Sequence, residues 1–104
     1  MHTMIQDKQA LLQRLLSHRS EIESFGVRRL GLFGSFAREN MIHDNSDVDF
    51  LVDFETGKKT FDNFMELSFY LENLLGRKVE LVTPQSLSPY LGPAILKEVE
   101  NVIQ

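Results

Sequence analysis

The chain has 104 residues, enough for one domain, 1–104, built on one core. Its apolar fraction of 42% and charged fraction of 25% are those of an ordinary globular protein, and the lack of cysteine excludes disulfides and thiolate metal sites. A net charge of −4 argues against DNA or RNA as the main partner, because duplex binding needs a basic face to neutralise phosphates.

Met4, Leu11, Leu12, Leu15, Leu16, Ile22 and Phe25 recur at three- and four-residue steps and predict a helix over about residues 3–25, stopped by Gly26. VRRLGLF (27–33) is a short strand closed by a turn at Gly34. Residues 34–46 are a polar connection with a short helix opened by Ser35. DVDFLVDF (47–54) places Val48, Phe50, Val52 and Phe54 on one face of a strand and its aspartates on the other. After the turn ETGKKT, residues 60–75 form a long helix with Phe61, Phe64, Met65, Leu71 and Leu75 along one stripe, ended by Gly76. KVELV (78–82) is a third strand. TPQSLSPYLGP is irregular, and residues 94–103 read as a final helix.

This order predicts an α/β (α+β) protein with a small mixed three-stranded sheet flanked by helices. The second and third strands, joined by a long helix, are expected to be parallel, and the first and second antiparallel. No apolar run reaches the roughly 20 residues of a membrane helix. The stretch MHTMIQDKQALL lacks a signal-peptide pattern. A cytoplasmic protein with no membrane partner is the expectation.

Asp47 and Asp49 are two apart on a strand, so both side chains leave the same face, roughly 7 Å apart at Cα. Antiparallel pairing brings them to the edge where Gly34 and Ser35 lie, and parallel pairing brings Glu80 to that edge as well. Clustered carboxylates repel one another unless protonated or bound to a cation. Oxygen-only ligands select Mg²⁺, or Mn²⁺, over zinc, and Mg²⁺ is held by one or two carboxylates together with substrate phosphates. Gly34 lets backbone approach a phosphate, Ser35 offers a hydroxyl, and Arg38 supplies a guanidinium one turn on.

Each feature alone has a plainer explanation. An Asp-x-Asp on the solvent face of a strand is commonly just solvated, as Asp44 and Asp53 are taken to be, and a Gly-Ser is commonly an ordinary turn. An EF-hand is excluded, because Phe50, Leu51 and Val52 stand where a Ca²⁺ loop needs oxygens and glycine. Tyr70 and Tyr90 read as core or rim aromatics.

Together the features are sharper. GSFARENMIHDNSDVDFLVDF, with KVELVT further on, resembles the minimal nucleotidyltransferase (MNT) family of the superfamily that includes DNA polymerase β. The resemblance covers essentially the whole chain. It implies a nucleotidyltransferase fold, with Gly34 and Ser35 binding the nucleotide, to which the position of Arg38 one turn on adds a third nucleotide-binding residue. It also implies Asp47, Asp49 and Glu80 as catalytic, metal-holding carboxylates, with Mg²⁺ as cofactor and ATP as substrate. Family members more often carry Asp at the position of Glu80, which is one methylene longer but keeps the charge. Minimal members resemble the antitoxin of MNT–HEPN toxin–antitoxin pairs, which transfers AMP from ATP to a tyrosine of the HEPN toxin. A HEPN-type toxin is therefore the expected partner. Two other readings stand beside it: a non-catalytic antitoxin that occludes its partner, and a small-molecule nucleotidyltransferase whose acceptor site another subunit completes.

Overall fold

In a computed structural model, which describes residues 3–39 and 42–104, Asp7 starts the first helix. Its carboxylate accepts a hydrogen bond from Ala10 N at 2.8 Å, and α1 runs Lys8–Ser17. The expected single helix over 3–25 is therefore shorter at its start and divided. Ile5 lies ahead of the helix, donates its N–H to Leu75 O at 2.8 Å and is buried. At His18 the backbone leaves the helical region, and α2 restarts over Arg19–Glu23. Strand β1, Val27–Phe33, follows, and then the short helix α3, Ser35–Arg38, which begins at the expected residue. Residues 40 and 41 of the expected connection lie outside the described residues.

Strand β2, Val48–Phe54, alternates buried and partly buried positions as its pattern predicts. Thr60 accepts a hydrogen bond from Asn63 N at 3.1 Å and caps α4, Phe61–Leu75, which Gly76 ends at φ 65°. The face that α4 buries is not quite the expected stripe. Leu67, Leu71, Leu74 and Leu75 enter the core, whereas Phe61 is 78% exposed. Strand β3, Val79–Val82, precedes a single 3₁₀ turn at Pro84–Ser86.

The chain then departs from expectation. Helix α5, Gly92–Glu98, stops short, and Glu100–Ile103 forms a fourth strand, β4. Val99, Val102 and Ile103 are β-branched and lose rotamer freedom in a helix. The free edge of β1 captures them as an antiparallel partner, and Ile103 is fully buried. The sheet is thus mixed, as predicted, but has four strands in the order β3-β2-β1-β4. The β1–β2 pair is antiparallel and the β2–β3 pair parallel, both as expected.

One sheet face carries Leu30, Leu32, Val48, Phe50, Val52 and Leu81, which join Leu11, Leu15, Ile22, Phe36 and the leucines of α4 in the core. The other face carries Arg29, Gly31, Phe33, Asp49, Leu51, Asp53 and Glu80, flanked by the 3₁₀ turn and α5. Among the described residues, no helix is long and apolar enough to cross a membrane.

A buried cation ties the elements together. Arg77, 7% exposed, donates to the carbonyls of Ile5, His43 (2.9 Å) and Ser46 (3.0 Å), and its guanidinium lies 4.9 Å from the centroid of the Phe36 ring. We expect Arg77→Lys to lower stability by about 3 kcal/mol, because an ammonium on a different stem cannot reach all three carbonyls and leaves buried acceptors unpaired. Urea unfolding followed by circular dichroism measures the loss. A midpoint equal to that of the parent would show that the carbonyls are satisfied without the guanidinium.

Candidate active site

The sheet register assembles the site. Across β1–β2, Phe33 lies opposite Asp49, and across β2–β3, Asp49 lies opposite Glu80. Asp49 is partly buried and Glu80 exposed. Asp47, exposed, sits immediately before β2 in the segment whose Ser46 carbonyl Arg77 holds. Gly34 begins the turn after β1 with φ 77° and ψ −153°, and a Cβ there would run into Asp49 Oδ2. The turn can therefore lie against the aspartate only because its first residue has no side chain. Ser35, partly buried, follows as the first residue of α3.

The electrostatics follow from this crowding. The Asp49 carboxyl is pushed up to about 6, first by burial, then by the charges of Glu80 and Asp47, by a proton it can share with Glu80, and by the charge of Glu98. Among the described residues, no basic side chain forms an ion pair with Asp47, Asp49 or Glu80. Nor do three carboxylates close onto a single point there. The expected convergence of all three is realised among the described residues as Asp49 opposite Glu80, with Asp47 just before β2. An all-oxygen donor set of uncompensated carboxylates fits a divalent cation such as Mg²⁺ or Mn²⁺.

Arg38 ends α3 with its guanidinium engaged. Its Nε is 2.9 Å from Glu98 Oε1, and Nη2 donates to Glu98 Oε2 at 3.2 Å. Glu98 was not legible in the sequence, since it falls inside the stretch that reads as the middle of a helix. Asp53 is not simply solvated, because it accepts from Arg28 (3.0 Å) and Arg29 (3.3 Å). Tyr90 is 89% exposed and Tyr70 partly buried at the rim, its hydroxyl 3.4 Å from Glu21 Oε2. A cleft of about 360 Å³ opens beside the carboxylates, lined by Phe33, Asp49, Glu80, Val82, Leu87 and Ile95 among others. Such a cleft has apolar walls for a ring and carboxylates for a cation.

The family model for the nucleotidyltransferase domain matches residues 12–101. The protein adenylyltransferase MntA of Thermococcus cleftensis is 46% identical to this chain over 85% of its length and 88% of the relative's. A solved structure of a minimal nucleotidyltransferase superposes with a TM-score of 0.78 at 35% identity, covering 90% of this chain and 94% of that one. A chain from the toxin–antitoxin structure MntA-HepT superposes with a TM-score of 0.58 at 25% identity, covering 90% and 70%.

Two predictions follow from the geometry. Because the folded state holds the Asp49 proton more tightly than the unfolded chain does, this group adds stability to the metal-free protein as pH falls from above 6 towards 4. Asp49→Asn should remove that slope and raise stability at pH 7, read as melting temperatures in chelator between pH 4.5 and 7.5. A parent slope that survives in the variant would assign it to other groups. Gly34→Ala should cost about 1–3 kcal/mol from its left-handed backbone alone, and should also displace the Asp49 carboxylate, lowering the pH at which that slope occurs. An unchanged melting temperature would mean that the turn reshapes freely.

Proposed function

The chain belongs to the nucleotidyltransferase family, and from that premise we propose that it transfers AMP from ATP to a tyrosine hydroxyl of a HEPN-type toxin and so acts as the toxin's antitoxin. The observation that carries this reading is the uncompensated trio Asp47, Asp49 and Glu80 beside the Gly34-Ser35 turn at one end of the sheet. The activity named for the Thermococcus relative and the toxin–antitoxin context of the MntA-HepT neighbour support the choice of donor and acceptor. The net charge of −4 works against a nucleic-acid acceptor.

Asp47, Asp49 and Glu80 would hold Mg²⁺ or Mn²⁺. When bound, the ion supplies positive charge that offsets the phosphates and eases loss of the acceptor proton. The protein's own residues do the rest. Gly34 lets phosphate oxygens reach the backbone, Ser35 donates its hydroxyl, and Arg38 presents the N–H groups that Glu98 leaves free. The acceptor oxygen attacks the α-phosphorus, the bond to the bridging oxygen breaks, and pyrophosphate departs. The hydroxyl proton passes to the exposed carboxylate of Glu80. An unperturbed tyrosine, near pKa 10, needs this help at neutral pH.

The test uses ATP labelled at the α- or the γ-phosphate, with the purified toxin partner and magnesium. Label from the α-phosphate alone, with AMP mass added to tyrosine, is expected. Asp47→Asn and Asp49→Asn should each slow transfer about a hundredfold or more, and Glu80→Gln should also impair it. Label from the γ-phosphate would make the protein a kinase. No label, with toxicity still suppressed by the Asp47→Asn/Asp49→Asn double variant, would make it an occluding antitoxin.

A further inference from the structure

Among the described acidic side chains whose charge acts on Asp49, Glu98 is the one that meets a guanidinium. Its carboxylate lies along the Nε/Nη2 edge of Arg38, with contacts of 2.9 and 3.2 Å. The Glu98 side chain is 25% exposed and the Arg38 side chain 53%. Glu98 Oε1 is shielded from water and accepts no aligned hydrogen bond, so its close approach to Nε is a charge contact. Glu98 is also anchored. It is the last residue of α5, and two residues on the chain enters β4, where Glu100 pairs with Leu32 of β1. Lys8 reinforces the same junction by donating to Ala37 O at 3.3 Å and to Glu100 Oε1 at 2.8 Å. The end of α3 is thereby fixed to the sheet edge from two sides.

A guanidinium has five N–H donors in a rigid plane. Engagement through Nε and Nη2 consumes two and leaves Nη1 with both of its own. A half-exposed arginine without such a partner samples many rotamers, and binding a phosphate would have to freeze them.

We propose that Glu98 is a positioning residue for the nucleotide. It holds Arg38 by one edge of the guanidinium and leaves Nη1 to the triphosphate bound at the Gly34-Ser35 turn. The inference rests on the reading of the chain as a nucleotidyltransferase with Arg38 at the phosphates. Glu98 itself touches no substrate. It acts by restricting Arg38 and by being neutralised by it, since an unpaired carboxylate at this position would repel the phosphates.

The test combines binding and turnover on the full chain with magnesium. Binding is measured by calorimetry with an ATP analogue carrying a methylene bridge between the α- and β-phosphorus atoms. Glu98→Gln keeps the shape and removes the charge, and should weaken analogue binding about tenfold and raise KM for ATP by a similar factor. The kcat should stay within about twofold, a split that a general loosening of the fold would not give. Glu98→Asp should recover part of the affinity. Arg38→Ala should weaken binding at least as much, and Arg38→Ala/Glu98→Gln should be no weaker than Arg38→Ala alone. Unchanged affinity in Glu98→Gln, additive losses in the double variant, or a fall in kcat with KM constant would overturn the proposal while leaving nucleotidyl transfer standing. Tighter binding in Glu98→Gln would make Glu98 a competitor of the phosphates and overturn it as well. A parent chain that neither binds the analogue nor transfers AMP would remove the underlying reading too.

Discussion

A guanidinium buried without a carboxylate is costly unless backbone oxygens surround it, and Arg77 is solvated in that way. Its carbonyl partners come from two stretches that share no secondary structure: the segment at Ile5 ahead of α1 and the loop at His43–Ser46. Its face lies over Phe36, one residue past Ser35, and Phe36 is itself fully buried. Arg77 also stands two residues before β3. One side chain thus ties together the loop that delivers Asp47, the helix that begins at the Gly34-Ser35 turn and the entry to the strand that carries Glu80. A carboxylate partner would have satisfied the charge with fewer bonds, but it would have held one segment instead of three.

That constraint makes the register of the sheet matter chemically. With the loops pinned, β2 has one alignment against each neighbour, and Asp49 faces Phe33 on one side and Glu80 on the other. A slip of one residue would turn Asp49 into the core and Phe50 out of it. The hydrophobic alternation of Val48, Phe50, Val52 and Phe54 is therefore what holds two carboxyls against each other, although burial and the charge of Glu80 disfavour the ionised Asp49. Core packing sustains an arrangement that electrostatics alone would disperse.

Strong local patterns were legible in the sequence, and so was the meeting of their ends. The period of two in β2, the Gly34 turn, the Thr60-to-Gly76 helix and the parallel crossover to β3 all follow from residues close in the chain, and they are enough to bring Gly34, Asp49 and Glu80 together. What was not legible depends on partners far away. Residues 100–103 are a strand because β1 has a second free edge, and the β-branched Val102 and Ile103 are too short a run to announce it alone. With the last helix read too long, Glu98 had no reason to be placed against Arg38, sixty positions earlier. Ile5 is core because Leu75 accepts its N–H, while the helical spacing pointed to Met4 instead. Phe61 belongs to the apolar stripe by spacing yet stays outside, because the leucines of α4 already fill the space above the sheet.

The distribution of arginines then separates acidic residues that the fold neutralises from those it leaves unneutralised. Asp49 and Asp53 lie on the same face of the same strand, four residues apart. Asp53 receives Arg28 and Arg29, and Glu98 receives Arg38. Asp47, Asp49 and Glu80 receive none among the described residues, although repulsion and burial together have already raised Asp49 to about 6. Arginines are thus available to the same sheet edge and the same strand face. A protein optimised only for stability would have compensated Asp49 first, because it is the carboxylate with most to gain. Leaving that position uncompensated, beside a turn whose glycine makes room for it, keeps negative potential concentrated at this edge of the sheet. The lack of basic partners among the described residues, more than the presence of acidic residues, sets this edge apart from the rest of the sheet.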